Sequence, residues 1–285
     1  MKNEVTSIAI GGFDGMHLAH QELFSKLDEK SAIVVIETGY ANLTPNRHRE
    51  EHTKFPISYY PLENIKHLDG KSFVKLLLEE FPSLQKIVVG FDFCFGANRK
   101  HCIDDLKELF HGEVVVVDEI KCDDIGVHSR IIRKYIADGE MDIANRFLNT
   151  DYSILGTVIK GQGLGKKEFV PTINLHVDDF LLPNEGVYVT NTFIGDTKYK
   201  SVSFLGHRVS TDGSFAIETH ILNDDIGYVD SKYIKISFIK KLRDNKSFES
   251  FTLLRQQIDT DITQAKEYFK MPTQVHKCTT ASVSN

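Results

Sequence analysis

The chain has 285 residues, 41% hydrophobic and 26% charged, with a formal net charge of −6 at pH 7. That length is comfortable for two domains with buried cores. The negative balance argues against general nucleic-acid binding and against an anionic membrane as a partner, so an anionic ligand must be met by a local site. No apolar run approaches the roughly 20 residues of a membrane span, and the start, MKNEVTSIAIGG, is too short in apolar residues for a secretory leader. A cytoplasmic protein is expected. Cys94, Cys102, Cys122 and Cys278 form no CxxC and no framework spacing, which predicts free thiols and argues against zinc.

In chain order, Ser7 to Ile10 suits a buried strand, Gly11-Gly12 and Gly15 allow tight bends, and Leu23, Phe24 and Leu27 then fall at helical spacing. The unpaired N–H groups that open such a helix, with its dipole, form an anion site. His17 and His20 project from one face at that end, so a phosphate could be held by amides and two imidazoles. By itself the pair also fits an incidental capping or surface role. SAIVVIET, residues 31–38, reads as a second strand. Residues 39–60, with Pro45, Pro56, His48 and His52, read as a solvated loop. A helix is expected from Leu62 to Phe81, closed by Pro82.

KIVVG, residues 86–90, reads as another strand, followed at once by FDFCFG. That order places Asp92 at the carboxyl edge of a parallel sheet, where open α/β folds bind ligands. Phe91, Phe93 and Phe95 either fill the core or stack on a ring ligand. A helix at 102–110, a strand at 113–120 and a helix at 129–147 complete a doubly wound α/β domain over residues 1–150.

From Asp151 the long helical patterns stop. ILGTVIK, GVYVTNTFI, YKSVSFLG, SFAIETHIL and YIKISFIKKL are short strands that predict a β-barrel or sandwich over residues 151–270. A helix near 249–269 closes it, with Phe251, Leu254, Ile258 and Ile262 on one stripe, and residues 271–285 read as a disordered polar tail. In GTVIKGQGLGKKEFVPTINL, Gly161, Gly163 and Gly165 let backbone approach phosphate oxygens, beside Lys166 and Lys167. A flexible surface turn is the alternative. Thr172 and Asn174 share one side of an extended chain, and their oxygens suit Mg²⁺. On SFAIETHIL, Glu218 and His220 share a face. There Glu218 is either a general base for a primary alcohol or part of a solvated outer face.

GGFDGMHLAH resembles the nucleotidyltransferase signature GxFDGxHxGH of the flavin adenylyltransferase half of bacterial riboflavin kinase/FAD synthetases, with Ala19 for the usual glycine. VGFDFCFG resembles that family's VGxDFxFG. The resemblance implies nucleotide contacts from Gly12, Phe13, Asp14, Gly15, Asp92 and Gly96, with His17 and His20 in the transfer step. HSRIIRKYIADGEMDIANRFLN is similar to SSTRIRxAIxxGDxxxANxxLG, which implies triphosphate contacts from Ser129 and from Arg130 or Arg133; His128 stands where a serine is usual. The family's Pro-His-Pro turn is absent.

GQGLGKKEFVPTIN resembles the riboflavin kinase signature GxxxxGRxLGFPTAN through Gly161, Gly165, Lys167, Pro171, Thr172 and Asn174, with Leu164 and Glu168-Phe169-Val170 departing from it. The E-x-H glutamate implies a base role for Glu218. LLPNEGVYV, SFLGHR and the run from FIKKLRDNKSFES onward extend the resemblance along nearly the whole chain. It implies a Rossmann-like nucleotidyltransferase domain followed by a riboflavin kinase-like barrel with a closing helix. Together they would use MgATP to convert riboflavin to FMN and FMN to FAD. Two alternatives stay open: a kinase with a degenerate adenylyltransferase half, and a flavin- or nucleotide-sensing module without turnover.

Overall fold

A computed structural model describes residues 2–160, 170–210, 212–222, 231–272 and 278. They fall into two units, one ending at Ser129 and the other spanning Arg130–Cys278. The first contains β1 (Ser7–Gly11), α1 (Leu18–Ser25), β2 (Ser31–Glu37), β3 (Ile57–Pro61), α2 (Leu62–Ile65), α3 (Gly70–Glu80), β4 (Lys86–Gly90), α4 (Ile103–Leu109), β5 (Glu113–Val117) and a small hairpin of β6 (Lys121–Cys122) and β7 (Ile125–Gly126). The sheet is five-stranded, ordered β3-β2-β1-β4-β5, with every neighbouring pair parallel.

Such a sheet is covered on both faces, so its central strands are apolar over most of their length. Ile8, Ile10, Val34 and Val89 pack with Phe73, Leu77 and Phe81 on one side. Ala9, Ile33, Val35 and Val88 pack with Phe13, Met16 and Phe24 on the other. The expected doubly wound class is what forms. Strand order reverses between β1 and β4, which makes their carboxyl ends the switch point.

Local expectations needed revision. Residues 39–60 are not all loop: they hold a short 3₁₀ turn, Asn46–His52, and the edge strand β3. The helix expected at 62–81 breaks into α2 and α3, because the Asp69 carboxylate accepts from Ser72 N (2.7 Å) and starts a new helix there. Cys94 and Cys102 are free, whereas Cys122 and Cys278 are each in disulfide form, which corrects the expectation of free thiols for those two.

The helix expected at 129–147 is two, α5 (Ser129–Asp138) and α6 (Met141–Leu148). Between them Gly139 takes φ +80, and a Cβ there would lie 2.8 Å from Lys241 Cδ. The second unit continues with β8 (Tyr152–Ile159), β9 (Ile173–His176), β10 (Gly186–Ile194), β11 (Thr197–His207), β12 (Phe215–Ile221), β13 (Tyr233–Asp244) and α7 (Phe251–Tyr268). The six strands close an antiparallel barrel in the order β10-β11-β12-β9-β8-β13. All five expected strands are present, and β9 is the one the sequence pattern had not marked as a strand.

Inside the barrel the alternation of side chains places a closed ring of hydroxyls. Thr190, Ser201, Thr192, Thr219 and Ser203 bond each to the next at 2.7–2.9 Å, and all are at most 1% exposed. Outside, α7 is locked to β13 by a fork: Arg243 Nε and Nη2 meet the Asp261 carboxylate at 2.7–3.1 Å, and Gln257 Nε2 adds a bond at 2.9 Å. Asp261 is 3% exposed, so removing it would leave the half-buried Arg243 guanidinium without its carboxylate. Asp261→Ala should therefore destabilise the barrel unit by roughly 3–5 kcal/mol. Urea unfolding of the two proteins measures it.

Candidate functional site

At the switch point the chain turns from β1 into α1 through a loop that L residues resist. Phe13 (φ 48), Gly15 (φ 86) and Met16 (φ 45) are all left-handed, strained for the two non-glycines. Burial of Phe13 and Met16 holds them there. So does Asp14, whose carboxylate accepts from the backbone N–H of Asn42 (3.3 Å), Leu43 (3.0 Å) and Thr44 (2.9 Å). Gly15 N donates to Thr44 Oγ1 at 2.8 Å. Of the predicted contacts, Phe13 and Asp14 thus build the loop itself, while Gly12 is exposed.

His17 caps α1 in extended backbone, and its ring stacks on His20 with centroids 3.5 Å apart. Ser129 Oγ donates its one proton to the Asp14 carbonyl (2.8 Å). It must therefore accept from His17 Nε2 (3.2 Å), which fixes the proton of neutral His17 on that nitrogen. Burial, followed by the nearby charges of His17, Arg49 and His128, pulls the His20 imidazole well below its usual range. The amino end of α1 suits an anion, and of the two stacked imidazoles it is His20 that keeps a ring N–H to offer it, since His17 commits its own to Ser129.

On β4 the next edge carries Phe91, 44% exposed, and Asp92, also exposed. Phe95 fills the core against Phe73, so the two readings of the phenylalanines divide: Phe95 is core, and Phe91 is accessible to a ring. Gly96 (φ +71) is required by packing, since a Cβ would lie 2.8 Å from His101 Cδ2 and 3.1 Å from Gly70 N. Ser129 is brought to His17. Arg130 and Arg133 follow it on α5, the first exposed and the second half-buried.

In the barrel unit, Thr219 faces the hydroxyl ring, so Glu218 and His220 face outward. That outer face is partly covered: with α7 it borders a cavity of about 200 Å³. Val187, Val202, Phe204, Leu254, Ile258 and Ile262 give it an apolar body, while Thr172, Asn174, Arg208 and Glu218 line it with polar groups. Asn174 and Glu218 are opposite each other across β9 and β12. His220 Nδ1 donates to the Pro171 carbonyl (2.8 Å), pinning the Pro171-Thr172 bend to β12. Gly161, Gly165 and Lys167 lie outside the described residues.

Arg208 was not singled out by sequence reasoning, although it ends the SFLGHR run. Its guanidinium reaches Glu218 Oε1 from Nε (2.9 Å) and Nη2 (2.5 Å), and Asn174 Oδ1 from Nη2 (2.9 Å). Glu218 thus has a partner, as a carboxylate in so apolar a strand requires. The turn bearing Arg208 is held by Glu185, which accepts from His207 N (3.0 Å), His207 Nδ1 (2.7 Å) and Asn245 Nδ2 (2.9 Å). Gly206 makes room for it, since a Cβ there would come within 2.6 Å of Glu185 Oε2.

A family model described as "Flavokinase: Riboflavin kinase" matches residues 148–269. A protein of Buchnera aphidicola subsp. Acyrthosiphon pisum named bifunctional riboflavin kinase/FMN adenylyltransferase is 30% identical over 94% of this chain and 95% of its own. Its namesake in Buchnera aphidicola subsp. Schizaphis graminum is 27% identical over 94% and 96%. A crystal structure of a macrolide-efflux protein from Streptococcus pneumoniae superposes with TM-score 0.79 at 25% identity, covering 93% of this chain and 97% of that one. Among the described residues no helix is long and apolar enough to cross a membrane.

The hydrogen bonds to Glu185, first the one from the His207 backbone, hold its carboxyl down to about 2. The stabilisation this gives is complete above the unfolded value of about 4.3 and is lost as pH falls toward 2. Glu185→Gln should accordingly be less stable than the parent at pH 7, with the gap closing as the pH is lowered below 4; thermal melts across that range test it.

Proposed function

The chain belongs to the bifunctional riboflavin kinase/FMN adenylyltransferase family, and on that footing we propose that each unit carries one of two successive ATP-dependent transfers. It is a transferase of flavin cofactor synthesis that acts on riboflavin, FMN and ATP. With ATP as a substrate, the cytoplasm is where it works. Functionally the domains are 1–150, for adenylyl transfer, and 151–270, for phosphorylation.

The observation that carries the kinase assignment is the cavity under α7, apolar in its body and lined by Thr172, Asn174 and Glu218. The flavin ring fits the apolar part, and the ribityl chain reaches the polar group. Glu218 takes the proton of the 5′-hydroxyl as that oxygen attacks the γ-phosphorus of ATP and the bond to the ADP oxygen breaks. Arg208 orients the carboxylate through its two bonds. A hydroxyl, an amide oxygen and a carboxylate are hard donors that fit Mg²⁺, and Thr172 and Asn174 would hold it. When bound, Mg²⁺ offsets phosphate charge.

In the α/β unit a phosphate oxygen of FMN attacks the α-phosphorus of ATP, and the bond to pyrophosphate breaks. No proton need move, so positioning and charge stabilisation suffice. The α1 amides, His17 and His20 supply both, with Gly12, Gly15, Asp92 and Ser129 around the nucleotide.

Incubation with riboflavin, ATP and Mg²⁺ followed by chromatography of the flavins should yield FAD. FMN alone would reduce the reading to a kinase with a degenerate adenylyltransferase half, and unchanged riboflavin would favour a sensor. Glu218→Ala should lower FMN formation by about 10²–10⁴-fold while sparing FAD formation from supplied FMN. His17→Ala should do the reverse. Loss of both activities in either folded variant would defeat the assignment of separate sites.

A further inference from the structure

The segment RHREEH, residues 47–52, reads as surface, and most of it behaves so. Arg47 pairs with Glu50, and His48 with Glu51, at exposed positions. Arg49 does not. It is 2% exposed and among the largest fully buried side chains of the protein. Its Nη1 donates to the Asn46 carbonyl at 2.9 Å, its Nε has no hydrogen-bond partner among the described residues, and no carboxylate there forms an ion pair with it. A guanidinium does not shed its proton in a protein. A buried cation with one carbonyl and no counter-ion is therefore incomplete until an anion arrives.

Its position says which anion. The chain just before Arg49 is tied to the switch-point loop by the three backbone bonds to Asp14 and by Gly15 N on Thr44 Oγ1. Asn46, φ +51, then turns the chain into the 3₁₀ turn that bears Arg49. The charge of Arg49 is felt by His20, whose own Nδ1 also has no hydrogen-bond partner among the described residues. A buried guanidinium, an imidazole with an open nitrogen and the amino end of α1 therefore lie within electrostatic reach of one another in one unit, and all three suit an anionic ligand.

We propose that Arg49 is a substrate-binding residue of the α/β unit, its buried guanidinium serving as counter-charge to the polyphosphate of the nucleotide. This rests on the reading of that unit as the site of adenylyl transfer. As the FMN phosphate oxygen bonds to the α-phosphorus and the α–β bridge breaks, the bridge electrons pass to pyrophosphate. Arg49 stabilises that growing charge without moving a proton. The fork of Arg49 recognises phosphate oxygens in pairs, a geometry that a lysine reproduces only in charge.

Inorganic pyrophosphate is the probe, titrated into the full-length protein by calorimetry. Arg49→Met should weaken its binding and raise the KM for ATP in FAD formation, each by tenfold or more. Riboflavin phosphorylation should change less than twofold, and the His20 imidazole, followed by NMR, should titrate at higher pH. Arg49→Lys should recover part of the pyrophosphate affinity. Unchanged pyrophosphate binding in Arg49→Met, with kinase activity intact, would overturn the proposal. Should Arg49→Met fail to fold, Arg49→Lys decides: wild-type pyrophosphate affinity and KM for ATP overturn the proposal, and a several-fold loss of both supports it. A parent protein that makes no FAD yet loses pyrophosphate binding on Arg49→Met overturns only the reading of the unit.

Discussion

A strand shows successive side chains to opposite faces, and that constraint decides where chemistry sits in each unit. In the parallel sheet both faces are covered, so β1, β2 and β4 are filled with Ile, Val and Ala. Polar groups are left only the strand ends. The loop after β1, with His17 and His20, and the exposed Asp92 after β4 are accordingly where polar groups gather. In the barrel the same alternation sends Thr219 inward to the hydroxyl ring and Glu218 and His220 outward under α7. One strand supplies both the interior and the site.

In both places a carboxylate fixes the backbone. Asp14 gathers three backbone N–H groups and holds the strained turn that aims His17. Glu185 gathers the His207 backbone and so presents Arg208 to Glu218 and Asn174. Each works because an ionised carboxylate is a strong acceptor with several lone pairs. The Arg243–Asp261 fork does a related task, keeping α7 over the cavity. The backbone at both candidate sites is thus fixed by a small number of charged groups.

Sequence reading was strongest where the pattern was long and apolar. The parallel sheet and five barrel strands could be read from the apolar pattern, and alternation paired Thr172 with Asn174 and Glu218 with His220, while the pairing of Asn174 with Glu218 across β9 and β12 is visible only in the fold. It failed where a local device overrode periodicity. The Asp69 cap splits a helix, Gly139 at positive φ splits another, β9 has only four residues, and β3, ISYYP, lacks the continuous apolar run of the other parallel strands. Arg49 and Arg208 were missed for a different reason. Charge content says that RHREEH is solvated, yet which one of its cations turns inward depends on the Asn46 turn and the tie to Asp14. Neither contact has a sequence signature.

Underlying all of this is the claim that one chain holds two nucleotide sites, each complete within its own unit. A crystal structure of the full-length protein soaked with Mg²⁺ and a non-hydrolysable ATP analogue tests it most directly. The account predicts two analogue molecules per chain, one with phosphates at the α1 amino end beside His17 and His20, the other at Thr172 and Asn174. A single bound nucleotide, or nucleotide away from both places, would contradict it.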